Sequence, residues 1–325
     1  MPGLKGIRGV PRIRQMRSLL ALTLAISLTL VLAPPGAGVT SPHKRSAAGA
    51  RKSTKRKHRK HRKRKHRKRS GTAPGTPTPR TPTLGAQTAW APVGSKPLSD
   101  SQAAALVTRT PENRPENASA NNYVPSDAEL KAFHSATDES GRRADDVNPL
   151  RTYVTGRPGL SNPSTDDLLQ WGAHKWGIPE DIVRAQAVVE SWWRQSALGD
   201  RTAVQPSWVP QYPPQAQIPG SNDVWQSMGI LQVRWSPDGL IHPGTEPLRW
   251  KSVAFNIDYY GSIIRYYYDG RCDWCGPGYA PGQDWNSLGG WFNPSPWNNQ
   301  GAQGYVATLK QRLAERTWAT PDFQG

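Results

Sequence analysis

The sequence predicts a mainly α fold over residues 161–325, and three observations carry that expectation. Apolar residues recur at helical spacing in "STDDLLQWGAHKWG", "GIPEDIVRAQAVVESWW", "SVAFNIDYYGSIIRYYYDG" and "GAQGYVATLKQRLAERTW". Between these segments, Gly199 to Gln226 is rich in Pro, Gln and Trp, with room for no more than a small hairpin. The first 99 residues have the wrong composition for a core: they hold 23 of the 42 Lys and Arg and none of the 24 acidic residues. The remainder therefore carries 19 basic and 24 acidic side chains, a net charge of −5, and the overall +18 belongs to the N-terminal arm.

Residues 1–38 open with Lys5, Arg8, Arg12, Arg14 and Arg17, continue with "SLLALTLAISLTLVLA" and end in small residues, the pattern of a secretory signal peptide. The apolar run at 18–33 is shorter than the roughly 20 residues that usually span a bilayer. An uncleaved signal anchor is the alternative. No cysteine follows the run, which argues against a lipid anchor.

Residues 39–99 are expected to be disordered. Their centre, "RKSTKRKHRKHRKRKHRKR" at 51–69, repels itself and offers nothing apolar to bury. Behind an export signal such a tract meets anionic wall polymers, lipid heads or extracellular nucleic acid, or it serves only as a charged spacer. A Pro/Thr-rich linker follows it.

Residues 100–160 are expected as a lead-in with one helix, begun by the capping-box pair Ser126 and Glu129. In the domain proper, Ser164 or Thr165 caps the first helix, with Asp166 and Asp167 at its positive end. Pro179 opens the second helix, along which Ile182, Ala185, Val189 and Trp193 recur. Glu190 lies near that helix's C-terminal end, where apolar neighbours and the negative end of the dipole both disfavour an ionised carboxylate. Either this side chain faces water or its raised pKa serves chemistry.

The chain contains no HExxH, GxSxG, Walker A or Rossmann glycine pattern, so metalloprotease and nucleotide readings lack their usual support. The two cysteines, Cys272 and Cys275 in "CDWC", read first as a short-loop disulfide. A zinc site would need a second ligand pair, and a redox motif would need a strand leading into a helix. No cofactor or metal is indicated.

After Glu190 come "SMGILQ" at 227–232, "FNIDYYG" at 255–261 and "GGWFN" at 289–293. In this order the sequence resembles the soluble lytic transglycosylase family of the lysozyme-like superfamily. That family shows a Glu-Ser pair ending a helix, a G-L-M-Q-like segment, an N-I-x-x-G helix and an A-Y-N-A-G-like turn. Their counterparts here are Glu190-Ser191, "GILQ" with Gln232, Asn256-Ile257 with Gly261, and Phe292-Asn293.

The resemblance covers residues 160–318. It implies an α+β lysozyme-like fold and a secreted, cell wall-associated bacterial enzyme whose partners are peptidoglycan glycan strands. Under it, Glu190 acts first as general acid and then as base, closing the muramyl 6-hydroxyl onto C1 to leave a 1,6-anhydro sugar. Ser191, Ser227, Gln232, Phe292 and Asn293 would contact substrate. The Gln232 and Asn293 amides either bind sugar groups or cap buried backbone, and Ser191 either orients Glu190 or caps its helix.

The chain departs from the family pattern in three ways. Glu190 and Gly229 are separated by 38 residues, so the Trp/Pro loop reads as an insertion beside the cleft. Phe292 stands where the family has tyrosine, with Tyr259, Tyr260 and Tyr305 as substitutes for the lost hydroxyl. Pro294-Ser295 replaces the family's Ala-Gly. A hydrolytic muramidase needs a second carboxylate, for which Asp200 and Asp223 are candidates unless they are surface acids. Trp193 and Trp225, with Trp192, Trp208 and Trp235, either stack on sugar faces or anchor core and loop. A noncatalytic wall-binding or polyanion-binding protein of the same fold is the reading from another class.

Overall fold

The computed structural model describes residues 87–324. The expected signal peptide, the basic tract and the linker up to residue 86 lie outside the described residues. The described chain is mainly helical with one small antiparallel sheet.

The helices begin and end where local chemistry requires. Helix α1 (Asp127–Ser135) starts at a complete capping box, Ser126 with Glu129. Helix α2 (Thr165–Trp176) starts at Ser164, with Asp167 closing the box, and stops at Gly177. Helix α3 (Glu180–Ser191) has Pro179 as its N-cap, one position earlier than a first-turn proline, and terminates at left-handed Trp192. Helices α4 (Val253–Tyr268), α5 (Asp284–Phe292) and α6 (Gln300–Glu315) complete the longer helices among the described residues, beside several single-turn ones.

Close approach of α2 and α4 depends on glycine. A Cβ at Gly172 would lie 2.2 Å from Ile257, and one at Gly261 would lie 2.1 Å from Trp176. The glycine of "FNIDYYG" is therefore a packing residue that lets two core helices touch.

Strands β1 (Leu198–Ala203), β2 (Asp223–Met228) and β3 (Val233–Arg234) pair antiparallel in that order. Leu198 faces Met228, and Arg201 faces Trp225. The stretch expected as a loop with room for a small hairpin does hold one, and its long connection folds back on it. Tyr212, Ala216, Val224 and Met228 form a small core there, separate from the main one.

Two expected boundaries are corrected. The lead-in at 100–160, expected to hold one helix packed on the domain, holds several short ones besides Asp127–Ser135, and Phe133, Leu150 and Val154 are buried in the same core as Trp171, Trp176 and Phe255. Buried Asp258 seals that join, accepting from Thr155 N (2.8 Å), Gly156 N (2.9 Å), Lys175 Nζ (2.7 Å) and Trp176 Nε1 (2.8 Å). With both oxygens engaged by four donors, one of them a lysine cation, this carboxylate tolerates complete burial.

The second correction concerns residues 87–99, assigned from composition to the disordered linker. Ala91 N donates to Gly177 O (2.8 Å), Leu98 N to Lys175 O (2.9 Å) and Glu180 N to Gln87 O (2.8 Å). Trp90 stacks on Tyr268 at 4.5 Å. One aromatic ring and a few backbone bonds hold this strap, a signal that Pro/Thr-rich composition conceals.

Cys272 and Cys275 form a disulfide just past α4. Among the described residues no helix is long and apolar enough to cross a membrane.

Candidate active site

Glu190 is the penultimate residue of α3, and the end of α3 is pinned from below. Ser191 Oγ donates to Ile230 O at 2.7 Å, joining the helix end to the turn between β2 and β3. That turn begins at Gly229 (φ +90°), where a Cβ would lie 2.2 Å from Asn256 Nδ2 and 2.6 Å from Arg249 O. Only glycine fits there.

The turn is bolted in turn to α4. Asn256, fully buried, accepts from Leu231 N (2.9 Å) and donates to Met228 O (3.0 Å) and Arg249 O (2.6 Å). Gln195 accepts from Ile230 N at 3.0 Å, and Gln232 donates to Gly229 O (2.8 Å) and Ala197 O (3.1 Å). The quoted motifs are therefore physically one object, a helix end, a turn and a second helix joined by side-chain to backbone bonds.

Above this base the Glu190 side chain is half-buried and flanked by aromatic groups. Tyr305 Oη of α6 donates to Glu190 Oε1 at 2.5 Å. Phe292 lies flat on the Tyr305 ring, with centroids 5.3 Å apart and planes 9° apart. Trp291 of α5 donates its indole N–H to Leu231 O at 3.1 Å and also acts on Glu190. Tyr260 of α4 packs edge-on against Trp291 at 5.1 Å. On the far side of Trp291, His242 stacks at 5.7 Å, and its Nδ1 meets Tyr259 Oη at 2.8 Å.

These surroundings determine protonation. Burial pushes the Glu190 carboxyl up to about 8; the Tyr305 hydroxyl opposes this, the negative charge of Asp200 adds to it, and the Trp291 indole opposes it. Glu190 thus holds its proton at neutral pH and can release it when an acceptor arrives. Burial, with the cations Arg151, Arg234 and Arg249, pushes His242 down to about 3, so it stays neutral.

No protein-family model, curated protein or solved structure matches the chain. The site therefore has to be read from its own chemistry.

The structure brings together only some of the residues expected to serve it. Asp200 is near enough for its charge to act on Glu190; its backbone is left-handed (φ 54°) within β1, and its carboxylate accepts from Ser227 Oγ. Asp223 does not join it, because it lies at the other end of the hairpin in an ion pair with Arg201 at 2.7 Å. Phe292 is 48% exposed and Asn293 caps the end of α5 beside it, so both are open to a ligand.

Five of the residues expected as substrate contacts have partners within the protein, the capping and core roles that were their alternatives. Trp193 is only 1% exposed and donates to Arg184 O, which makes it a core residue rather than a sugar platform. Ser191 and Ser227 are buried and bonded as described, and Gln232 directs its amide nitrogen to backbone. Trp225 packs against the small core of the hairpin lobe with Trp208 and Trp235, while Trp192 is 41% exposed and stacks on Phe323.

Trp291 and Gln186 are the site residues that the sequence analysis missed. Trp291 lies inside the quoted "GGWFN", and Gln186 sits one helical turn before Glu190, so spacing alone could have nominated it. Among the described residues no cluster of His, Cys, Asp or Glu is arranged to hold a metal ion. A cavity of about 240 Å³ under the strap, lined by His174, Lys175 and Arg265 among others, shares no residue with this site.

Proposed function

We propose that the chain is an exported enzyme of lysozyme-like fold that cleaves the MurNAc to GlcNAc β-1,4 bond of peptidoglycan through Glu190. The observation that carries this reading is a helix-end carboxyl that receives the Tyr305 hydroxyl and whose pKa is pushed up to about 8 by burial. Breaking a glycosidic bond needs such an acid, because the departing sugar oxygen must gain a proton as positive charge develops at C1.

The reaction uses Glu190 twice. Its proton passes to the glycosidic oxygen as the C1–O bond breaks, with the substrate's own N-acetyl group assisting. The carboxylate left behind, held by Tyr305, takes the proton of the muramyl 6-hydroxyl as that oxygen bonds to C1. Glu190 is then protonated again, the product carries a 1,6-anhydro ring, and no water is consumed. Phe292 offers an apolar face to a sugar ring beside this centre.

One observation supports a second reading, hydrolysis. Asp200 is close enough for its charge to act on Glu190, and the Ser227 bond fixes its direction. A carboxylate so placed could activate water for attack at C1. Asp223, held by Arg201, has no part in that reading.

The mass of the muropeptides released from peptidoglycan decides between them. Anhydro products support the transglycosylase, and products heavier by one water support the hydrolase. Release of no product would overturn both and favour a wall-binding protein, whereas activity retained in Glu190→Gln would refute Glu190 as the catalytic acid. Export and tethering through residues 51–69 belong to the same proposal, supported by the order of signal, basic tract and domain.

A further inference from the structure

A line of hydrogen bonds runs from the lead-in to the far side of Trp291, and the reaction as described makes no use of it. Arg151 Nε donates to Asp145 Oδ1 (3.0 Å), Arg151 Nη1 donates to Tyr259 Oη (3.4 Å), and Tyr259 Oη lies 2.8 Å from His242 Nδ1. Arg151 also holds the loop itself, since its Nη2 donates to Pro243 O at 3.1 Å. Asp145, Arg151 and Tyr259 are buried, whereas the His242 ring is partly exposed. Among the described residues, Nε2 of that ring bonds to no protein group.

Contacts on the page connect this ring to the Glu190 end of α3. Ser191 Oγ is bonded to Ile230 O, and the next carbonyl, Leu231 O, receives the Trp291 indole N–H. His242 lies flat on that indole, with planes 19° apart. On the other side Phe292, next to Trp291 in the chain, stacks on Tyr305, the donor to Glu190. Phe292, Trp291 and His242 are all at least partly exposed, so they form a row of accessible rings leading away from the carboxyl.

We propose that His242 is a substrate contact whose Nε2–H donates to an acetamido carbonyl oxygen of the glycan, with Tyr259 and Arg151 fixing the proton on that nitrogen. This rests on the glycan reading above and adds a residue that distinguishes acetamido sugars from plain ones. A guanidinium can only donate, so Arg151 occupies a lone pair of Tyr259 Oη and leaves the tyrosine proton in need of an acceptor. His242 Nδ1 is the acceptor within reach. A proton on Nδ1 instead would strand the buried tyrosine hydroxyl, which is strongly disfavoured. The imidazole therefore carries its proton on Nε2. An N–H that can only donate fits an oxygen that can only accept, and the acetamido carbonyl is the one that every sugar of the strand carries.

Nitrogen NMR of the His242 ring tests this, together with binding of the β-1,4 tetramer of N-acetylglucosamine. Both use Glu190→Gln so that the probe stays intact, and the β-1,4 glucose tetramer supplies hydroxyls in place of acetamido groups. Without ligand, Nε2 should be protonated and Nδ1 bare, and adding Tyr259→Phe should mix the two tautomers. The N-acetylglucosamine tetramer should move the Nε2–H signal downfield, and the glucose tetramer should not. His242→Phe keeps the stack on Trp291 and should weaken binding of the acetylated tetramer by about 3- to 10-fold, the scale of one neutral hydrogen bond.

A proton on Nδ1 in the unliganded chain would overturn the proposal. So would an acetylated tetramer that moves the Phe292 ring signals while leaving Nε2–H in place; that result would leave the glycan reading standing. A tetramer that moves neither ring would overturn both. The tautomer and the ligand shift are read with His242 present, so they decide the matter if His242→Phe does not fold.

Discussion

The raised pKa of Glu190 makes a prediction about stability that does not depend on the reaction. In the unfolded chain this carboxyl has an ordinary value near 4.5, and in the fold burial holds it at about 8. Between those values the unfolded chain has released the proton while the folded chain keeps it. Folding then takes up a proton, so rising pH weakens the fold until about pH 8, where the effect levels off. At pH 5 the penalty is about 1 kcal/mol, at pH 7 about 3 kcal/mol, and above pH 8 it approaches about 5 kcal/mol, at 1.36 kcal/mol per pKa unit.

Glu190→Gln abolishes this titration while keeping an amide oxygen that can accept from Tyr305. Every other titrating group is common to the two proteins and cancels in the difference. Urea unfolding of both at pH 5, 6, 7 and 8 should therefore show the variant's advantage growing by about 2 kcal/mol from pH 5 to pH 7. The change with pH is the test, because any constant offset reflects only repacking. A difference constant to within about 0.5 kcal/mol over that range would refute the idea that the fold holds Glu190 protonated.

Three further outcomes follow from the site and the arm. Asp200→Asn removes a charge that raises the Glu190 pKa, so the alkaline limb of cleavage should move down by roughly half a pH unit. Anhydro products persisting in that variant would exclude Asp200 as an obligatory base. Gly229→Ala must put a Cβ into Asn256 and Arg249 O at a positive φ, so it should destabilise by about 2 kcal/mol or more; an unchanged melting temperature would contradict that packing. Deleting residues 51–69 should remove the salt sensitivity of wall binding, and binding that stays equally salt-sensitive would rule out tethering by charge.

The long helices were legible in the sequence because their caps are local. Ser126 with Glu129 and Ser164 with Asp167 name their partners within three residues, and the apolar period does the rest. The strap and the hairpin lobe were not legible, because their stability comes from distant partners. Trp90 needs Tyr268 to stack on, and Tyr212 needs Val224 and Met228 to pack against. No short window of sequence contains both halves of such a contact.

The site shows the same division. Glu190 stood out because its discomfort is local, an acid in an apolar helix end. The residues that answer that discomfort come from elsewhere in the chain, Tyr305 from α6, Trp291 from α5 and Asp200 from the hairpin. Tyr305 could be named only as one of three substitutes for the hydroxyl missing at Phe292. The structure makes the connection direct, since Phe292 stacks on the ring of the tyrosine that bonds to Glu190.

The motif residues expected to touch substrate act mainly a layer beneath it, and the energetics of Glu190 give the reason. A carboxyl displaced to about 8 is an unfavourable element of about 3 kcal/mol at pH 7, and the chain relieves it if more water can reach this half-buried group. Ser191, Asn256, Gln195 and Gln232 all bond to the backbone around the turn that supports the end of α3. By fixing that turn they keep α3 from fraying at its last residues, the easiest place for a helix to admit water. A substitution such as Asn256→Ala, which touches no sugar, should then lower the Glu190 pKa toward 4.5 and remove acid catalysis at neutral pH. A folded Asn256→Ala protein whose Glu190 still titrates near 8 would show that the aromatic groups alone keep the carboxyl dry.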